Sequence, residues 1–168
     1  MAVTYLATLF KKIRLHTHEN IGWGKIRLPQ DDLHTETYWV TLPDELLARW
    51  SRDEAEQALM GLGHLLVGVA PLLLMCDRGD LRLSVQVRAL HTGMPTVFLW
   101  ERVPGGIGFS KQLLREQARL LEMSHELVEG CECPNGCPGC VGPAAPGDAT
   151  KARVTEALAM ARTRTVVT

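Results

Sequence analysis

Four of the chain's five cysteines fall within ten residues, Cys131-Glu-Cys133-Pro-Asn-Gly-Cys137-Pro-Gly-Cys140. The spacing is C-x-C-x3-C-x2-C. Thiolates are soft, strong ligands, and four of them this close in sequence suit a turn wrapped around one ion. The glycines let the backbone fold tightly, and the prolines limit the entropy lost in doing so. Such a set predicts a closed, tetrahedral zinc site held by Cys131, Cys133, Cys137 and Cys140, which adds directly to folding free energy. Two other chemistries use clustered cysteines. An iron–sulfur cluster is one. Disulfides are the other, but Cys131 and Cys133 are too close to pair comfortably, a fifth cysteine is left over, and no signal-peptide pattern opens the chain. That fifth residue, Cys76, reads as a small buried hydrophobe.

Other residues have the right types but weaker spacing. His16 and His18 stand at i, i+2 on a strand end and face the same way; without a third ligand they read as a polar strand end. Asp77 and Asp80 flank Arg-Gly and suit a turn. His125 falls on the apolar face of a helix just before Cys131, where it is a candidate to support the metal ligands from outside. Pro104-Gly105-Gly106-Ile107-Gly108 enters a helix. Such a loop either cradles an anion with free N–H groups or lets helix and sheet pack closely. It is neither a P-loop nor a G-x-G-x-x-G fingerprint.

With 168 residues, 46% hydrophobic and 22% charged, the chain has the composition of one globular domain spanning residues 1–168. A net charge of −1 gives no global support for nucleic-acid binding. Local basic groups exist: Lys11, Lys12, Arg14, Lys25 and Arg27 near the N-terminus, and Lys151, Arg153, Arg162 and Arg164 near the C-terminus. Each patch alone reads as solvated surface. The longest apolar run, Leu65 to Met75, is broken by Pro71, so no membrane association is expected; with metal-type cysteines this places the protein in the cytoplasm.

The elements that must position these residues follow from periodicity. Residues 3–16 alternate and predict a long half-buried strand, followed by a turn at Asn20–Gly24, a short return over Lys25–Pro29 and a strand over Thr35–Leu42, together an antiparallel meander. Tyr38 and Trp39 should lie on opposite faces. Pro43 opens a short helix through Trp50. Ser51-x-x-Glu54 is a capping box for a helix that Pro71 stops near Ala70. Leu81 to Ala89 and Thr96 to Glu101 pair as a hairpin, the second strand being central. One helix runs from about Ile107 to Glu129, with Leu114, Ala118, Leu121, His125 and Val128 on its stripe. The metal knuckle covers 130–142, 142–147 is a breaker segment, a last helix covers about 148–162, and 163–168 is a frayed tail. The fold class is α+β: an antiparallel sheet of about five strands with about four helices.

Several blocks together resemble a known family. His16-Thr-His-Glu-Asn-Ile-Gly22, the strand His34–Trp39, Pro71 to Leu81, Arg102 to Phe109 and the cysteine run occur in the order found in the C-terminal zinc-binding domain of MrfA-type (mitomycin repair factor A) DEAD/DEAH-box helicases. The resemblance covers roughly residues 10–160. It implies structural zinc on the four cysteines and a place in a DNA-repair helicase that moves 3′ to 5′ on single strands, with ATP hydrolysis in two RecA-like motor lobes. Pro104, Gly105, Gly106 and Gly108 are then family-characteristic positions. This chain has no Walker A or DEAD/DEAH motif, so on its own it is no ATPase. It is expected to act with motor lobes in cis or in trans, with Lys11, Lys12, Arg14, Lys25 and Arg27 as contacts to the motor or to single-stranded DNA. The alternative is a stand-alone zinc-stabilised interaction module with no nucleic-acid role. A hydrolase built on Asp77, Asp80, His16, His18 or His91 is the weakest reading, since nothing fixes these as a triad or an open metal site.

Overall fold

One helix, α2 (Arg52–Leu74), forms the middle of the fold. The computed structural model describes residues 1–143 and 148–163; most of the expected breaker segment (144–147) and the expected frayed tail (164–168) lie outside the described residues. The capping box starts α2 as the sequence requires. The Glu54 N–H donates to the Ser51 hydroxyl at 3.3 Å, and the Ser51 N–H donates to the Glu54 carboxylate at 2.8 Å. Ala58, Leu62, Leu65, Leu66 and Val69 are buried along one side. The helix does not stop at Ala70. It absorbs Pro71, itself buried, and ends at Leu74, where Met75 turns left-handed (φ 55°). Burial of Ala70, Pro71 and Leu74 outweighs the missing proline hydrogen bond. By length and composition α2 is the one described helix able to cross a bilayer. Here its apolar surface packs on strands and helices of the same chain.

Three strands lie under α2 in the order β5 (Thr37–Thr41), β7 (Thr96–Glu101) and β6 (Leu81–Gln86), all antiparallel. Phe98 of β7 is opposite Trp39 on one side and Ser84 on the other. Every residue of β7 is buried, as expected of a central strand covered on both faces. Tyr38 is 3% exposed and Trp39 50%, so they do lie on opposite faces.

The N-terminal third departs from the expected meander. It forms two separate two-stranded ladders, β1 (Ala2–Tyr5) with β4 (Asp31–His34) and β2 (Leu9–Ile13) with β3 (Asn20–Lys25). Residues 3–16 are therefore not one half-buried strand. Tyr5, Leu9, Ile13 and Leu15 share the apolar parity yet are all exposed; of the four, Tyr5 alone has an aromatic partner in the body, its ring edge-on to Trp100 with centres 6.1 Å apart. The turn lies earlier than expected. The Arg14 N–H donates to the Glu19 carbonyl and the His18 N–H to the Arg14 carbonyl, with His18 left-handed (φ 55°). Gly22 and Gly24 look like turn residues but sit inside β3. A side chain at Gly24 would meet the Phe10 ring at 2.4 Å, so glycine makes room for the ring.

The remaining helices are α1 (Asp44–Leu47), α3 (Phe109–Arg115), α4 (Gln117–Gly130) and α5 (Thr150–Thr163). The single helix expected over 107–129 is thus two, broken at Glu116 (φ −98°, ψ 16°). The break shifts the buried stripe: Leu113 is fully buried and Leu114 is 54% exposed.

Candidate metal centre

The cysteine run begins where α4 ends at Gly130 and folds back on itself through Gly136 (φ 124°). The Cys140 N–H closes the last turn on the Cys137 carbonyl at 3.0 Å. This brings the sulfurs together. Sγ separations are 3.4 Å for Cys131–Cys133, 3.6 Å for Cys131–Cys137, 3.5 Å for Cys133–Cys140 and 3.6 Å for Cys137–Cys140. All four sulfurs lie within 4.8 Å of one another. A disulfide needs about 2.05 Å between sulfurs. Four sulfurs at about 2.3 Å from one tetrahedral ion stand about 3.8 Å apart. The arrangement has the dimensions of a single-ion site.

The acid–base chemistry points the same way. Burial, then hydrogen bonding by the neighbouring thiols, pushes Cys133 up to about 12. The Gly139 N–H, then the thiols of Cys131 and Cys140, pull Cys137 down to about 7. One thiolate is welcome in this cluster and the next is opposed. A bound cation stabilises clustered thiolates, and zinc supplies that charge without redox chemistry.

Two helices meet the knuckle through its backbone carbonyls. Lys151 of α5 extends its ammonium to the carbonyls of Cys131 and Cys133, the second at 2.9 Å. The Lys151 backbone N–H donates to the Asn135 carbonyl at 3.0 Å. From α2, His64 Nε2 lies 2.9 Å from the Pro138 carbonyl. Cys140 and Val141 are buried in the core itself. Gly61 of α2 touches this junction so closely that a Cβ would lie 2.7 Å from Val154 and 3.3 Å from the Val141 carbonyl. Arg153 then ties the start of α5 to the start of α2, bonding Asp148 at 2.7 Å and Glu54. The Thr150 hydroxyl, more than Arg153, holds the Asp148 carboxyl below its ordinary range. Lys151 and Arg153 are therefore joints of the fold rather than a solvated basic patch. His125, expected near the ligands, instead has its Nδ1 3.2 Å from the Glu129 carboxylate one turn on. The histidine that reaches the knuckle is His64, and neither it nor Lys151 carries a local sequence signal for that role.

The glycine-rich loop does cradle an anion, and the anion is internal. Glu101, at the end of β7, is fully buried. Its carboxylate accepts the Ile107 N–H at 2.6 Å and the Ser110 N–H at 2.7 Å. Burial pushes its pKa up, but the N–H groups of Ile107, Ser110 and Phe109 outweigh that and hold it below the ordinary range. Pro104 begins the turn; the Gly105 N–H (φ 77°) donates to the His34 carbonyl at 2.8 Å. Gly106 (φ 73°) passes over Glu36 and Glu101, where a Cβ would meet Glu36 at 2.8 Å. Gly108 (φ 98°) leads into α3.

Asp77 and Asp80 form the expected turn, accepting the N–H groups of Gly79 at 2.6 Å and Asp77 at 2.9 Å. His91 packs against Phe98, ring centres 5.7 Å apart, while His16 and His18 lie in the β2–β3 turn. Among the described residues the one cluster of three or more metal-ligating groups is the four cysteines. Lys11, Lys12 and Lys25 project from β2 and β3, Arg14 pairs with Glu19 at 3.3 Å, and Arg27 follows β3. Two aromatic partners of this group were missed in the sequence. Lys11 Nζ lies 5.6 Å from the Trp23 ring centre and Lys12 Nζ 5.7 Å from that of Phe10.

Residues 62–141, from the middle of α2 through the last cysteine, match the family model of the MrfA Zn-binding domain. Over this stretch the chain is similar to that family. Beyond that core, it is 38% identical over 160 residues to a Bacillus subtilis (strain 168) protein described as an uncharacterized ATP-dependent helicase, YprA, covering 94% of this chain and 21% of the relative. Crystal structures of the DUF1998 helicase MrfA align as well. The DNA-bound form has a TM-score of 0.76 at 37% identity, over 95% of this chain and 21% of that one. The form with DNA and AMPPNP gives 0.68 at 37% identity, over 94% and 20%. The chain thus spans about a fifth of the length of the relatives it matches, and its four-cysteine cluster fits zinc binding.

Proposed function

We propose that this chain is the zinc-stapled accessory domain of an ATP-dependent DNA-repair helicase. Cys131, Cys133, Cys137 and Cys140 hold one structural Zn²⁺. The ion neutralises four thiolates and locks α2, α4 and α5 together; it has no open coordination position and does no catalysis. ATP hydrolysis belongs to motor lobes acting in cis or in trans, and this domain supports them and handles single-stranded DNA. The 168 residues act as one unit. Free thiols as ligands suit the reducing cytoplasm.

The observation that carries this reading is the convergence of four sulfurs within 4.8 Å of one another inside the segment matched to the MrfA Zn-binding domain. The test is metal analysis of the purified protein together with motor reconstitution. One zinc per chain, and motor lobes whose DNA-stimulated ATPase rises when this domain is added, are the expected results. Substoichiometric zinc, or a motor indifferent to the domain, would sink it. A stand-alone protein-interaction module is the second reading, favoured by the exposed apolar side chains of the N-terminal strands. Capture of protein partners with no effect on any motor or DNA would select it.

A further inference from the structure

The β2–β3 hairpin is unlike the rest of the molecule. Every non-glycine residue of both strands is exposed. From Leu9 to Leu28 five lysines and arginines face a single carboxylate, Glu19, in a chain whose net charge is −1. The two strands sort these groups onto two faces. Lys11 is paired directly across from Trp23. Trp23 is 65% exposed, and the Lys11 ammonium lies 5.6 Å from its ring centre. On the other face Phe10 is opposite Gly24 and Lys12 is opposite Gly22. The Phe10 ring lies on the bare backbone of Gly24, while nothing stands within 4 Å of the Cβ position at Gly22. Each face therefore offers an accessible aromatic ring with an ammonium beside it.

We infer that this hairpin is a stacking arm for single-stranded nucleic acid, with Trp23 and Phe10 as platforms for bases and Lys11, Lys12 and Lys25 as phosphate contacts. The inference deepens the helicase reading and rests on it for the choice of DNA. The charge balance selects a polyanion. The rings select one whose bases are free to stack, since duplex bases already stack on each other. An apolar protein groove would have to desolvate the lysines that flank both rings, with no carboxylate of the arm beyond Glu19 to offset them. The binding is sequence-tolerant, because every base has a π face.

The test uses the zinc-loaded full chain and fluorescently labelled oligo(dT), with anisotropy read across a salt series. Trp23→Leu should weaken binding by about 5- to 100-fold without changing the salt slope, the range expected for losing one stacked base. Phe10→Leu should weaken it less. Lys11→Gln with Lys12→Gln should flatten the slope by about 1.4, the loss of two phosphate contacts on a single strand. A duplex of equal length should be insensitive to Trp23→Leu. These positions are exposed, so unchanged zinc content and melting temperature will certify the variants. The inference is overturned if Trp23→Leu binds oligo(dT) like wild type, or if the zinc-loaded protein binds no oligo(dT) at low salt. It is equally overturned if Trp23→Leu breaks association with purified motor lobes and leaves DNA binding intact. In each case zinc content and motor stimulation are read separately, so the helicase reading stands or falls on its own.

Discussion

The zinc-knuckle junction and the β2–β3 arm obey the same local chemistry and reach opposite ends. In both, short strands or turns bring side chains into register. At the junction the groups that matter come from far apart: Lys151 reaches Cys131 and Cys133, and His64 reaches Pro138. Around it Cys140, Val141, Val154 and Leu158 are buried. On the arm the contacts are between neighbours, Lys11 with Trp23 and Lys12 with Phe10, and the apolar side chains stay exposed. Alternation therefore means burial only where another element lies across the face. Under α2 it does; on the arm it marks surface available to a partner.

That contrast predicts where damage spreads. The largest effect belongs to the ligands. Cys137→Ser or zinc chelation should destabilise the body by several kcal/mol, on the order of a third or more of a domain's stability. Thermal melting should show it, while the arm variants melt like wild type. A Cys137→Ser protein with unchanged melting would break the comparison at its strongest point.

Next comes Glu101. Replacing it with Gln removes the charge from a buried acceptor of two N–H bonds and should cost about 1–3 kcal/mol. Because its folded pKa is lowered, its contribution is present above about pH 5 and is lost as pH falls through the folded value. Acid titration of wild type against Glu101→Gln should show the gap closing toward low pH; a gap that widens would contradict the assignment.

Lys151→Met should be smaller, about 1 kcal/mol, and should speed zinc loss to a chelator, with Lys151→Arg restoring part of the retention. Lys11→Met, an equal loss of charge on the arm, should leave zinc release unchanged. The smallest effect is Gly24→Ala. Its Cβ meets the Phe10 ring, so the hairpin should loosen locally, seen as faster amide exchange in β2 and β3 with no change in the exchange of α2.

Much of the body was legible in the sequence because its signals are local. The capping box at Ser51, the strand pair over Leu81–Gln86 and Thr96–Glu101 and the cysteine spacing all state their structure within a few residues. What failed were features decided at a distance. Pro71 looked like a stop, but tertiary burial carried α2 past it. Gly24 has the look of a turn residue, but its constraint is the Phe10 ring on the facing strand. The glycine-rich loop has the pattern of an anion cradle or a packing device, and it is both, since its anion is Glu101 from the preceding strand. His125 had the right neighbourhood in sequence and the wrong partner in space. Lys151 and His64, which do reach the knuckle, carry nothing in their own sequence surroundings that announces it.

The central claim is that one zinc ion, held by Cys131, Cys133, Cys137 and Cys140, closes the body. X-ray absorption at the zinc edge on the purified protein tests it most directly. The account predicts one zinc per chain with a single shell of four sulfurs at about 2.3 Å. A shell containing nitrogen or oxygen, iron in place of zinc, or a metal-free protein with the four cysteines oxidised would contradict it.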